Sequence, residues 1–308
     1  MNLDILDVSI FDGHAVLPAN RISIRGGIIT EIGTGEATDP AERTITATGQ
    51  LVTPGFVDAH VHTTFGGQES LACDLSEAED LEASLEVIRD YVAASATSAT
   101  GDSWITGGGW SMADFPGGAP SAAILDELSP DRPIILLSAD HHSAWVNSKA
   151  MDLAGLDAST PAPPGGVIEK DEAGTPTGCL HESAMDLVSA QVPAATDAEI
   201  RAGLLAGQSF LHRLGVTAWM DAIVGDYSGH RSPFDAYVEA EDTGDLSAEV
   251  VGSLWWPRDV EDIDVQVEAL LEQRRTEGKF RTTSVKFMLD CAPTPPVPRT
   301  CCARTPTG

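Results

Sequence analysis

Eight histidines are spread through 308 residues, and two of them, His60 and His62, stand two positions apart in the run LVTPGFVDAHVHTTFGG. Side chains at i and i+2 of a β-strand face the same side. The apolar stretch beginning at Gly55 has the character of a buried strand, so both imidazoles project together from its end. Two neutral imidazoles held a few ångströms apart by a stiff strand suit a divalent ion such as Zn²⁺, Fe²⁺ or Mn²⁺. Alone, an H-x-H is a weak signal, because two ordinary polar residues at a strand end look the same. The rest of the chain has to supply the elements that hold it and any further ligands.

Residues 1–52 read as short strands broken by turns, in the segments LDVSIF, RISIRGGIITEIG and RTITATGQLVTP. Ile22 and Ile24 alternate before Gly26-Gly27, and Ile28, Ile29 and Ile32 follow it, which is a hairpin pattern. A small β-sandwich module is the expectation. Beyond it the texture changes. Helical patterns at about 78–95, 147–155, 197–213 and 260–276 alternate with the apolar strands GFVDAHV, SWITGGGW, PIILLSAD, GVTAWMDA, AEVVGSLWW and TSVKFMLD. Such alternation implies βαβ units and a mostly parallel sheet, an α/β fold. Thr196 and Glu199 make a capping box for a helix that ends at Gly215, and the helix at 260–276 stops near Gly278.

The charge is far from balanced, with 47 acidic residues against 18 basic ones and a net charge of −29. That excludes nucleic acid and anionic membrane as natural partners, since both are polyanions. The acids are spread along the chain rather than blocked, which fits an acidic proteome in a salty cytoplasm better than a dedicated cation-binding tract. The first residues show no signal peptide, and no stretch approaches the roughly 18 apolar residues of a membrane span. Cys73 and Cys179 lie far apart, and Cys291, Cys301 and Cys302 crowd the end without zinc-knuckle spacing. A cytoplasmic protein is the default. Residues 291–308, CAPTPPVPRTCCARTPTG, hold five prolines and no acidic residue. The abrupt loss of acids after Asp290 favours a reading-frame error over a disordered tail.

The segment LVTPGFVDAHVH resembles the signature of the amidohydrolase superfamily, metal-dependent hydrolases on a (β/α)8 TIM barrel. WITGGGW (104–110), DHHSAWVNSKAMDLAG (140–155) and GTPTGCLHESA (174–184) resemble its YtcJ-like branch, amidohydrolase family 3, and the likeness spans residues 1–290. The resemblance implies an N-terminal sandwich over 1–52, a barrel over 53–290 with a large insertion at about 66–205 after its first strand, and an aberrant tail over 291–308. His60 and His62 would end barrel strand 1 and bind metal. Lys286 stands where many members carry a carboxylated, metal-bridging lysine on strand 4. Its neighbours Val285, Phe287, Met288 and Leu289 would desolvate it, leaving a neutral amine able to react with CO₂. An ordinary strand lysine paired with Asp290 is the plain alternative.

The same resemblance places His142, with Asn147, at the substrate pocket, though a histidine capping the next helix would look no different. Trp110 would wall the pocket or sit in the core, and Glu182 would be a pocket carboxylate or a solvated helix start. Asp58 would orient the H-x-H as an outer ligand-supporting group. His14, His212 and His230 look structural or superficial. The family's chemistry also uses histidines from strands 5 and 6 and an aspartate from strand 8 as general base. No histidine follows His230. No catalytic residue is therefore assigned, and the expectation is a truncated, inactive member with about half a barrel.

The function implied is hydrolysis of non-peptide carbon–nitrogen bonds in small amide-like substrates. A metal-activated water would attack the carbonyl, with one or two divalent ions, zinc first and iron or manganese as alternatives. The full-length relative could be a homodimer. A non-catalytic binding or regulatory relative, or a deaminase or isomerase on the same scaffold, are the competing functions.

Overall fold

The computed structural model describes residues 2–37, 39–95, 103–227, 229–257, 260 and 262–288. Two compact units emerge, one from Met1–Val57 with Gly215–Ala218, the other from Asp58–Leu214 and Trp219 onward. The tail at 291–308, the bond partner Asp290 and the three late cysteines lie outside the described residues.

In the first unit, β1 (Leu3–Leu6), β4 (Arg21–Arg25), β5 (Ile28–Gly33) and β6 (Thr44–Thr46) form one sheet in the order β5-β4-β1-β6. A second sheet runs β3 (Val16–Leu17), β2 (Ser9–Phe11), β7 (Leu51–Val52). Gly26 and Gly27 both take positive φ, 60° and 83°, and close the tight β4–β5 hairpin as its paired glycines predict. Val8, Ile10 and Ile22 are buried together against Ile5, Leu17, Ile24 and Val52, so both sheets share one core. Asp4 accepts the Ala41 N–H at 2.8 Å and pairs with Arg25 at 3.0 Å, which hold its carboxyl down at about 2.

The second unit follows the order β8 (Phe56–Val61), α1 (Thr63–Leu71), β9 (Cys73–Asp74), α2 (Leu81–Ser95), β10 (Ile105–Trp110), α3 (Ala122–Leu128), β11 (Ile134–Ser138) and β12 (Ser143–Val146). It continues with α4 (Ser148–Leu153), β13 (Val167–Lys170), β14 (Pro176–His181), α5 (Asp186–Ser189), α6 (Asp197–Arg213), β15 (Val216–Val224), α7 (Phe234–Asp242), β16 (Glu249–Trp255), α8 (Ile263–Glu272) and β17 (Phe280–Lys286). The first strand, β8, and β15 begin among residues of the first unit.

Six strands form a mixed sheet, β13-β14-β12-β11-β10-β9, parallel from β9 to β11 and antiparallel beyond. Both faces are covered. Ile134 and Leu136 join Ile88, Ile105 and Trp145 on one side, while Ile135 joins Ala144, Val146 and Leu180 on the other. Burial on two faces is why PIILLS is a continuous apolar run rather than an alternating one. The remaining strands make a four-stranded sheet, β17-β16-β15-β8, in which β16 and β17 run parallel.

Several boundaries depart from the sequence expectation. The insertion expected over 66–205 contains the six-stranded sheet between Cys73 and His181, but α1 and α6 overlap its two ends and pack on each other. The helix expected over 260–276 is shorter, because Asp262 caps it by accepting the Asp264 and Val265 N–H groups and it ends at Gln273. The segment leading to the histidines is not a buried strand: Phe56 is 63% and Val57 72% exposed, and β8 is an edge of its sheet. The helix over 197–213 appears as expected, with its Thr196–Glu199 capping box closed in both directions. Among the described residues no helix is long and apolar enough to cross a membrane.

The contact of α1 with α6 is backbone on backbone. A Cβ added at Gly67 would lie 1.8 Å from the Gly203 carbonyl oxygen, whereas one added at Gly66 would meet nothing within 4 Å. Gly67→Ala should therefore force the helices apart and lower stability by about 2 kcal/mol or more in urea unfolding. Gly66→Ala, in the same helix, should leave stability unchanged or raise it by up to about 1 kcal/mol. In the first unit, an Asp4 carboxyl more acidic when folded than when free stabilises above about pH 4 and loses that effect as pH falls toward 2. Asp4→Asn should flatten this acid limb in circular-dichroism titrations.

Candidate metal centre

The last residues of β8 and the turn into α1 carry the H-x-H. Asp58 accepts the His60 backbone N–H at 2.9 Å, a short-range bond that pins the strand just before the first imidazole. The two rings lie 5.4 Å apart between centroids and nearly perpendicular, at 88°. Two imidazoles bound to one tetrahedral ion through bonds of about 2.1 Å put their centroids at about that spacing. His60 is exposed and His62 half-buried. The Nδ1 atom of His62 is buried without a hydrogen-bond partner. A buried ring nitrogen left unpaired is costly, and a cation ligated there removes the cost. The donor set thus fits a divalent ion.

The surroundings keep His62 neutral. Burial lowers its pKa first, and the adjacent His60, Lys286 and His230 lower it further, since each disfavours another positive charge. A neutral imidazole is the form that binds metal. Lys286 ends β17 opposite Trp255 of β16, and its charge reaches His62. The expected apolar wrapping of Lys286 is only partial, because Val285 on the edge strand β17 is 39% exposed and Phe287, just beyond its end, is 55% exposed. His230 is the neighbour that sequence inspection set aside. It sits in the loop after β15 and stacks on Phe65 at 4.4 Å, and Phe65 stacks in turn on His62 at 6.0 Å. Burial, then the nearby His141, lowers the pKa of His230. Among the described residues no third His, Cys, Asp or Glu joins His60 and His62 within metal-binding reach.

Two expected pocket residues belong to the core instead. Trp110 is 1% exposed, donates its indole N–H to the Leu136 carbonyl at 2.8 Å and packs edge-on against Trp145 and Phe115. Asn147 is fully buried as the N-cap of α4. Its oxygen accepts from Ile134 and Ala150, and its amide donates to the Ser129 and Arg132 carbonyls. Every hydrogen-bonding position of that amide is used inside the fold, so none is left for substrate. His142 and Glu182 do meet, at 3.0 Å and both open to solvent. They bond to each other, and the His142 backbone N–H donates to Asp140, so among the described residues their partners are not the His60–His62 pair.

Other reactive-looking groups are structural. Ser143, His181 and Glu169 form a hydrogen-bonded line at 2.8 and 3.3 Å, yet Ser143 is only 2% exposed. Cys73 and Cys179 are buried, and desolvation pushes both thiols up to about 12. Removing the Asn147 side chain should strand several buried partners. Asn147→Ala is expected to cost about 3 kcal/mol in equilibrium unfolding while leaving metal binding unchanged in the folded fraction.

Comparison with known proteins agrees with this architecture. Residues 43–297 match the family described as Amidohydrolase family. YtcJ of Bacillus subtilis (strain 168) is 30% identical over 227 residues, covering 71% of this chain and 42% of that protein. The N-substituted formamide deformylase of Arthrobacter pascens is 34% identical over 178 residues, covering 55% of this chain and 32% of its own. The crystal structure of an uncharacterized metal-dependent hydrolase from Pyrococcus horikoshii OT3 shares the fold over 92% of this chain and 54% of that one, with a TM-score of 0.62 at 18% identity. The chain spans less than half the length of the curated relatives it matches. With a family match over most of its length and the H-x-H at the end of β8, the chain belongs to the amidohydrolase superfamily, in its YtcJ-like branch.

Proposed function

We propose that this protein is a metal-dependent hydrolase of carbon–nitrogen bonds in small amide-like molecules, its ion held by His60 and His62. The observation that carries the proposal is the paired imidazoles at 5.4 Å with the buried, unpartnered Nδ1 of His62. Membership of the family and the likeness to a metal-dependent hydrolase support it. We assign the four-stranded sheet to part of a (β/α)8 barrel, and Lys286 to the ligand set as the carbamate that a neutral lysine forms with CO₂. Zinc is the first ion to try, for its preference for imidazole nitrogen.

A divalent ion at this position would polarise a substrate carbonyl and make water a stronger nucleophile near neutral pH. The protein's own groups prepare for that. Burial and neighbouring cationic groups keep His62 unprotonated, and Asp58 fixes the backbone that carries His60. Phe65 and His230 form an aromatic wall beside His62. The exposed His142–Glu182 pair is the remaining candidate for contact with substrate. Because one relative is a deformylase of N-substituted formamides, that class of amide is the first to assay.

Zinc titration of the purified chain, with a chromophoric chelator as competitor, tests the proposal. Wild-type protein should bind zinc stoichiometrically, and His60→Ala with His62→Ala should weaken binding by at least about 100-fold. Wild-type protein that binds no better than this double variant refutes the metal assignment.

A further inference from the structure

We propose that the cavity at the carboxyl ends of β9, β10 and β11 is a subsite for an organic cation, an ammonium on a ring-sized apolar body, recognised by Glu69 and His141. That it serves the substrate of the metal centre rests on the reading above; that it binds such a cation follows from its own geometry. The three strands run parallel, and open α/β sheets receive ligands just outside the carboxyl ends of such strands. The cavity there has a volume of about 160 Å³, close to one that admits a benzene ring. Asp74 at the end of β9, residues 107–109 of β10, Leu137 of β11, His141 beyond it and Glu69 of α1 line it. All of them belong to the second unit.

The β10 side of the cavity is bare. A Cβ at Gly107, Gly108 or Gly109 would strike backbone of the flanking segments at 2.6 Å or less, so no side chain can stand there. Peptide backbone and Leu137 leave room for an apolar body and supply no charge. The titratable groups are Glu69, Asp74 and His141.

Glu69 Oε1 and His141 Nδ1 lie 3.6 Å apart, beyond hydrogen-bonding distance. Among the described residues the Glu69 carboxylate has this neighbour and no hydrogen-bond donor. An ammonium set between the two atoms, about 2.9 Å from each, would donate to both when Nδ1 is the unprotonated ring nitrogen. Asp74, which accepts the Ser76 N–H at 3.0 Å, adds a second carboxylate to the cavity. Burial raises the pKa of Glu69, His141 counters that shift and Asp74 adds to it, so a cation here would relieve both carboxylates. His141 holds φ at 61°, a left-handed conformation that favours glycine over any residue with a side chain. The imidazole stands beside Glu69 against that preference.

The cavity adjoins the paired histidines along α1. Phe65 and Glu69 stand one turn apart on the same face of that helix, and Phe65 stacks on His62. Glu69 therefore lies one helical turn, about 5.4 Å, beyond the ring that borders the metal centre. A cation held there belongs to a part of the substrate remote from the bond being broken, where binding energy serves orientation. The substrate class is an amide carrying a distal ammonium.

Benzylammonium, with benzyl alcohol as its uncharged counterpart, tests the site in NMR titrations of the full chain without metal. The readout is the amides of Gly107, Gly108 and Gly109 and the His141 ring. Benzylammonium should shift these resonances saturably and bind at least about 10-fold more tightly than benzyl alcohol. A chain of net charge −29 attracts any cation, so Glu69→Gln is compared with Glu268→Gln, an equal charge change at an exposed position of α8. Affinity should fall about 10-fold in Glu69→Gln, several-fold in His141→Gly and not at all in Glu268→Gln. His141→Gly suits the backbone and serves if Glu69→Gln fails to fold. Equal binding of the two probes, equal loss in the two glutamine variants, or no saturable shift at these residues overturns the proposal. Zinc titration is independent of all this. A chain that binds benzylammonium here and ignores zinc refutes the metal reading and keeps the cation site, whereas one that binds zinc and not benzylammonium does the reverse.

Discussion

The geometry of this molecule turns on one close approach, the backbone of α1 against the backbone of α6. Gly67, Gly203 and Gly207 carry no side chain at the crossing, and a methyl group at any of them would meet backbone or side-chain atoms of the facing helix at under 3 Å. The register of α1 on α6 is therefore set by contact rather than by flexible side chains. Since α1 begins at the residue after His62, this contact also decides where β8 must end and which way the H-x-H turn faces. The two helices bracket the six-stranded sheet in sequence, so a large inserted structure can be added without moving the histidines.

The electrostatics of the site run against those of the chain. The whole sequence carries a net charge of −29, yet His60, His62, His230 and Lys286 gather at one end of the four-stranded sheet. His60, Lys286 and His230 each make protonation of His62 less favourable, while acidic residues elsewhere engage arginines in pairs such as Arg21–Glu31 and Arg201–Asp245. A histidine kept neutral in this way suits the cation proposed for the site. A site with carboxylates interleaved would hold its protons more tightly and release them less readily on binding metal.

What could be read from sequence was whatever a short window of residues determines. The His60–His62 spacing, the Gly26-Gly27 hairpin and the Thr196–Glu199 cap each follow from local backbone rules, and each is found. The larger division into α/β elements followed from periodicity for the same reason. Trp110 and Asn147 were open to a pocket reading because a tryptophan after three glycines and an asparagine before a helix look alike in a pocket and in a core. Only the Leu136 carbonyl, or the loop of Ser129 and Arg132, distinguishes the two. His230 had no signal at all, since its place beside Phe65 is made by the fold. Asp221 was equally hidden, an aspartate in an apolar strand whose partner Tyr237 comes from α7.

The distribution of unsatisfied groups separates a functional turn from a merely stable one. Native structures leave few buried polar atoms unpaired, and each one needs a reason. Among the described residues five such side-chain atoms occur. Two are arginine Nε atoms, at Arg21 and Arg201, whose terminal nitrogens are already engaged by carboxylates. The other three fall on consecutive residues, His62, Thr63 and Thr64, where β8 passes into α1. Thr63 Oγ1 adjoins Tyr237 without an aligned bond. A turn shaped by stability alone would carry apolar or self-capping residues there, at a gain of about 1–3 kcal/mol for each group relieved. The chain instead concentrates its unmet hydrogen-bonding demand beside the paired imidazoles, and the ion proposed there would meet that demand at His62.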